Sequence, residues 1–243
     1  MRYFIFTILF FLPFTLISEE VKADYIIKKV DEVVNAPKDQ KMKMKLIVID
    51  KDGNEREKLI EIFQKGTDKR IGRFLLPEDQ KGIGFLSLPN GVFYVYLPAM
   101  KKTQLIASQS KGGKFAGTDF TYEDLESKRY SDYWDGEIIK EDDENWYLKM
   151  TPKKNYRSIY GYVITKVEKE KFFPVKLEYY DKGGNLIKTL ERFKIEKVKG
   201  YLVSKESIMK DLKSGNTTKM ILMDVDFDAG ISDNIFNPER LGK

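Results

Sequence analysis

The sequence predicts a mainly β protein with few helices: a strongly curved antiparallel sheet forming a half-open β-barrel, with helices covering the concave face. Three observations carry this. After Pro37 almost every segment reads as a short strand, and compact turns separate one from the next, which is the pattern of an antiparallel meander. Only two segments have helical periodicity. Several strands are apolar on both faces, whereas a sheet with one solvated face alternates apolar with polar residues. Such strands need cover on both sides or a cavity on one, and a curved, partly open barrel with helices in its mouth meets that need.

Taken in order, the chain opens with Arg2 and an apolar run from Tyr3 to Ile17. A basic start, an apolar stretch and a small-residue site describe a signal peptide over residues 1–23, cleaved after Ser18 or after Ala23. The run is shorter than the roughly 20 residues a bilayer span requires, and Pro13 interrupts it. Residues 24–243 then form a single domain, exported and soluble after cleavage. Asp24 is placed to cap a first helix over Tyr25–Asn35, in which Ile26, Ile27, Val30, Val33 and Val34 make one apolar stripe. Pro37 closes it.

Strands are predicted over 41–49, 55–65, 70–76, 83–88, 92–97 and 101–107, with turns at Lys51–Asn54, Gly66–Asp68 and Pro89–Gly91. The second half repeats the style over 136–140, 145–151, 160–169, 175–181, 186–196, 202–210 and 217–226. Phe173-Pro174 reads as a break, and Lys182–Asn185 and Lys213–Asn216 as hairpin turns. The second helical segment is expected around Thr121–Lys128. The tail over 231–241 reads as a docked turn or short helix anchored by Ile235, Phe236 and Leu241.

Composition narrows the chemistry. The 243 residues contain no His and no Cys. That removes Ser-His and Cys-His nucleophile systems, HExxH zinc sites and disulfides. Charged residues are 33% of the chain, yet the net charge is only +5; the charges are interspersed, no dense basic stripe is present, and no nucleic-acid partner is expected. Asp119, Glu123, Asp124 and Glu126 fit no calcium-loop spacing, and Gly112, Gly113 and Gly117 lack the Lys-Ser/Thr ending of a phosphate loop. Neither a metal nor a cofactor is expected. The acids are read instead as caps of a short helix, with Asp119 or Thr121 at its N-terminus. The loop Ser108–Ala116 suits a mobile gate and a long surface connection equally.

The candidate lining of an interior cavity comes from the apolar strand faces. It comprises Met42, Met44, Leu46 and Val48 on one strand, then Phe74, Leu76 and Phe85. Tyr94 and Tyr96 follow, with Trp146, Leu148 and Met150, and finally Leu177 and Tyr179. The pattern alone favours an ordinary filled core, with a cavity as the alternative. Unbranched Met side chains suit irregular or varied contents in either case.

One stretch, Leu97–Leu125, is more specific. It reads LPAMKKTQLIASQSKGGKFAGTDFTYEDL, with a compact block at Gly117, Thr118, Asp119, Phe120, Thr121, Tyr122, Glu123, Asp124 and Leu125. A strand ending in Leu-Pro-Ala, a basic segment and that block resemble the signature of the outer-membrane lipoprotein-sorting family, the LolA-like periplasmic carriers. The hairpin Tyr179–Asn185 adds weaker support. The resemblance implies a LolA-like half-barrel and a non-enzymatic periplasmic carrier. Such a carrier shields acyl chains of lipids or lipoproteins on the way toward the outer membrane. It also implies an inner-membrane transporter as donor, an outer-membrane acceptor and a monomeric state. It moves the balance from a filled core to a cavity, where each buried methylene contributes about 0.8 kcal/mol. The alternative is an accessory or sensor module of a membrane transporter that uses the same fold without carrying lipid. A carboxylate-based enzyme would need a paired-acid cleft, and the sequence offers no specific pair.

Overall fold

The structure is a computed structural model that describes residues 21–242, so most of the expected signal peptide lies outside the described residues. Helix α1 spans Ala23–Val34. Its apolar stripe is buried at Ala23, Ile26, Ile27 and Val30. Lys22 occupies the N-cap without a side-chain cap bond, so Asp24 lies in the first turn instead of capping it. There its carboxylate faces the positive end of the helix dipole.

Two meanders follow. The first contains β1 (Asp39–Ile49), β2 (Glu55–Lys65), β3 (Lys69–Leu76), β4 (Gly84–Leu88), β5 (Val92–Leu97) and β6 (Lys102–Leu105). After the short helix α2 (Tyr130–Tyr133), the second contains β7 (Trp134–Glu141), β8 (Asn145–Pro152), β9 (Tyr162–Glu168) and β10 (Phe173–Tyr180). It ends with β11 (Leu186–Val198), β12 (Tyr201–Asp211) and β13 (Thr217–Phe227). All pairings are antiparallel, and β1 joins β13 to make one 13-stranded sheet with β6 and β7 at its edges. The sheet is curved but does not close into a barrel.

Two expectations are corrected. Phe173-Pro174 does not break the chain but opens β10. Proline is tolerated because the β9–β10 register shifts between Pro174 and Lys176, a position where the missing N–H interrupts no regular ladder. Thr121–Lys128 is a series of turns and not a helix; the short helix comes later, at Tyr130–Tyr133.

Topology explains what covers the concave face. Every sequential strand pair is a neighbour except β6 and β7, which lie at opposite edges. The connection between them, residues 106–129, must therefore cross the whole sheet. It crosses on the concave side. Phe115 packs into the apolar cluster of β1–β5, Phe120 into the cluster beneath α1, and Leu125 touches both. On the opposite face the tail docks as expected: Phe236 and Leu241 are buried against Ile71 and Leu86, and half-buried Ile235 packs beside them. This settles the two-sided apolar strands of the first meander, whose outer face is covered by the tail and inner face by the crossover.

Candidate functional site

The crossover and α1 enclose a cavity of about 280 Å³ on the concave side. Its apolar wall comes from the central and second-half strands: Met42 on β1, Met150 on β8, Val163 on β9, Leu177 and Tyr179 on β10, Leu190 on β11 and Met209 on β12. Val34 closes it from the helix, Phe120 from the crossover and Trp134 from β7. Its polar rim includes Asn35, Gln40, Gln64, Arg70, Glu123, Asp124, Glu126, Lys128 and Arg192, with the phenols of Tyr130 and Tyr160.

Of the fourteen residues expected on the wall, Met42, Met150, Leu177 and Tyr179 line this cavity. Trp146 and Leu148 belong to the same apolar cluster beneath α1 but not to the cavity wall. Met44, Leu46, Phe74 and Phe85 also face the concave side, yet pack solidly under the crossover. There Phe115 stacks on Phe74 at 5.4 Å and meets Phe85 edge-on at 5.3 Å. Gly72 allows this: a Cβ there would come within 2.3 Å of the Phe85 ring. Val48 is buried but off the cavity, and Leu76 is exposed at the end of β3. Tyr94 and Tyr96 lie on the outer face against the tail. Their neighbours Phe93 and Val95 take the inner one, since successive strand residues point to opposite faces.

The family-motif residues form a buried polar network. Gly117 adopts φ +73°, a left-handed turn that favours glycine. The Thr118 hydroxyl donates to the Phe115 carbonyl at 2.7 Å. Asp119 accepts from the Thr218 hydroxyl at 2.8 Å and pairs with Lys114 at 2.9 Å, which also pairs with Asp211 at 2.7 Å. Tyr122 packs on Phe93 at 5.6 Å. Glu123 accepts from Ser158 Oγ at 2.5 Å, Tyr156 OH at 2.9 Å and the Ile159 N–H at 2.8 Å. Asp124 accepts from Lys188 Nζ at 2.6 Å, Tyr160 OH at 2.7 Å and the Thr121 N–H at 2.7 Å. Glu126 pairs with Lys111, and with Lys128 at 2.9 Å.

These acids were expected to cap a helix. They are instead buried charges: Lys111, Lys114 and Lys128 match them within the crossover, while Tyr156, Ser158 and Tyr160 of the β8–β9 connection, Lys188 on β11 and Thr218 on β13 pin the crossover to the sheet. Removing one member of such a pair leaves an uncompensated charge, at a cost of about 3–5 kcal/mol. The Ser108–Ala116 loop is held likewise, by buried Phe115 and Lys111. Among the described residues no group of acids is placed to hold a metal ion.

Burial also shapes the titration of the site. It pushes the Tyr160 and Tyr179 phenols well above their ordinary value, with Asp124 adding to both. It does the same to Tyr156, aided by Glu123 and Glu126. It pulls the Arg70 guanidinium down to about 10, an effect that Tyr130 opposes and Arg192 reinforces. Arg70 and Arg192 were not singled out from the sequence. A signal existed: each is a charge sharing a strand face with apolar residues, Arg70 with Phe74 and Arg192 with Leu190.

A family model described as "-like: Uncharacterized protein" matches residues 66–243. No curated protein matches the sequence. Among solved structures, the chain is similar to an outer membrane lipoprotein-sorting protein domain from Vibrio parahaemolyticus. The two are 25% identical with a TM-score of 0.82, over 91% of this chain and 98% of that one. A DUF1329 family protein from Desulfovibrio piger is 23% identical, with a TM-score of 0.84 over 90% and 97%. A LolA superfamily protein from Nitrosomonas europaea is 21% identical, with a TM-score of 0.75 over 90% and 98%. The last two share the fold.

Proposed function

Because the chain belongs to the LolA-like family of outer-membrane lipoprotein-sorting proteins, we propose that it is a periplasmic, non-enzymatic carrier. It takes an acyl chain of a lipid or lipoprotein into the cavity between α1 and the crossover and releases it toward the outer membrane. The observation that carries the reading is the cavity itself: a space of about 280 Å³ on the concave face with a wall of Met, Leu and Val, beside a stretch of the same face that the crossover packs. That volume is close to the lower end of small-molecule sites, about 300–1,000 Å³. It suits one chain better than several.

Export supplies the compartment in this reading. Of the two cleavage points, after Ser18 and after Ala23, the burial of Ala23 in α1 supports the first. An inner-membrane transporter as donor and an outer-membrane acceptor complete the proposal.

Two measurements test it. Native-extracted protein should carry a lipid in its mass spectrum, and the delipidated protein should bind a fluorescent fatty acyl probe. An empty spectrum together with no probe binding would end the carrier reading. A cross-linked membrane-protein partner in its place would establish the accessory or sensor role.

A further inference from the structure

We propose that the cavity selects an anionic amphiphile. A single acyl chain lies along the methionine-rich wall, and its carboxylate or phosphate head is held between Arg70 and Arg192. The inference rests on the carrier reading and adds to it the chemistry of the occupant's head.

The argument is one of charge matching around the rim. Each carboxylate there already has its partners: Glu123 has two hydroxyls and a backbone N–H, Asp124 has Lys188 and Tyr160, and Glu126 has Lys111 and Lys128. The two arginines have only neutral acceptors. Arg70 donates through Nε and Nη2 to the Gln64 side-chain oxygen at 2.9 and 2.6 Å, and through Nη1 to the Leu125 and Glu126 carbonyls at 3.3 and 3.5 Å. Arg192 donates to the Pro174 carbonyl at 2.7 Å, and its guanidinium lies over the Phe173 ring at 5.9 Å. Neither forms an ion pair with a carboxylate among the described residues. Arg70 stands on β3 and Arg192 on β11, so the two positive charges come from opposite halves of the sheet to line one space.

A third group points the same way. Trp134 lines the cavity and is buried, and its indole N–H has no hydrogen-bond partner among the described residues. Two guanidiniums and an indole N–H are donors with no acceptor capacity. Placed around a partly desolvated space without a matching carboxylate, they are satisfied together by an anion. The planar guanidinium fork suits carboxylate and phosphate alike. The apolar remainder of the wall then takes the tail of the same molecule.

The test compares palmitate, a lysophosphatidate of the same chain length and hexadecanol as competitors of a neutral fluorescent acyl probe on the purified exported protein. Both anions, or one of them, should bind about tenfold or more tighter than the alcohol; which of them does so separates a carboxylate head from a phosphate head. Arg192→Gln should bring the anions to within about threefold of hexadecanol while leaving hexadecanol itself unchanged, and Arg192→Lys should retain part of the preference, keeping the charge without the fork. Hexadecanol bound as tightly as either anion by the unaltered protein overturns the inference and leaves the carrier reading standing. Failure of all three to bind overturns both. An anion preference that survives in Arg192→Gln and in Arg70→Gln removes the assignment to these residues.

Discussion

Under β1–β5 most of the concave face is packed solid by aromatic rings of the crossover, whereas beside α1, under the second meander and one end of β1–β3, a comparable apolar face keeps a cavity. Both covers meet apolar strand faces, of Phe, Leu, Ile and Val in the first and of Trp, Val, Leu, Met and Tyr in the second. The difference lies in the shape of the cover. A loop delivers single side chains wherever the curve of the sheet has room, and Phe115 fits between Phe74 and Phe85. An α-helix is a cylinder about 10 Å across that stays nearly straight over three turns. It touches a curved sheet at the strands it reaches, here β7, β10 and β12, and space persists beside it.

Three experiments sharpen or break this contrast. The largest effect is expected on the solid side. Phe115→Ala removes a ring stacked in the filled half and should cost about 3–5 kcal/mol in urea unfolding. Acyl-probe affinity in the surviving folded fraction should stay the same. A large loss of affinity at constant stability would show that the two halves are one site.

The next effect is alkaline. Tyr156, Tyr160 and Tyr179, all beside the helix-covered half, have phenols raised by burial and by neighbouring carboxylates. Tyr122, in the filled half, is raised by burial alone. A raised phenol keeps its proton in the folded state above pH 10, where the unfolded chain has lost it. The unfolded state then binds fewer protons, so stability falls as pH rises, by about 1.4 kcal/mol per pH unit per tyrosine. The contribution is fully present below pH 10. Tyr179→Phe should flatten the fall measured from pH 9 to 11 by about one tyrosine's share, and Tyr122→Phe should flatten it less. Equal effects would remove the distinction between the halves.

The smallest stability effect belongs to the cavity. Met42→Trp fills it from a half-buried position on β1 and should change unfolding by about 1 kcal/mol or less, because the added ring enters space already present. Probe affinity should fall about tenfold, or 1.4 kcal/mol. Retained affinity would place the occupant elsewhere.

Much of the sheet was legible because its signals are local. Glu55–Lys65 and Val92–Leu97 have the predicted limits, set by the turn residues that flank them. The role of the acids at 119–126 was not legible, because the partners of Glu123 and Asp124 lie well outside the segment. Asp124 meets Lys188 and Tyr160, and Glu123 meets Tyr156 and Ser158. With only neighbours in view, a helix cap was the nearest explanation. The side of the sheet on which a residue falls was equally hidden. Alternation separates Tyr94 and Tyr96 from Phe93 and Val95 but does not say which pair faces inward; the docked tail decides it. Arg70 and Arg192 were visible as charges on apolar faces, yet their meeting across one cavity required the topology.

The pairing of β1 with β13 also governs timing. It sets Gln40 beside Phe227, whereas every other ladder joins strands adjacent in sequence. Each meander can zip up from local hairpins, but closing this joint brings together distant ends and belongs to the slow, non-local class of folding events. Until it closes, β1 presents a bare edge in what will become the middle of the sheet. Met42 on one side of the joint and Met209 on the other line the same cavity, so the cavity comes into being only when the last strand arrives.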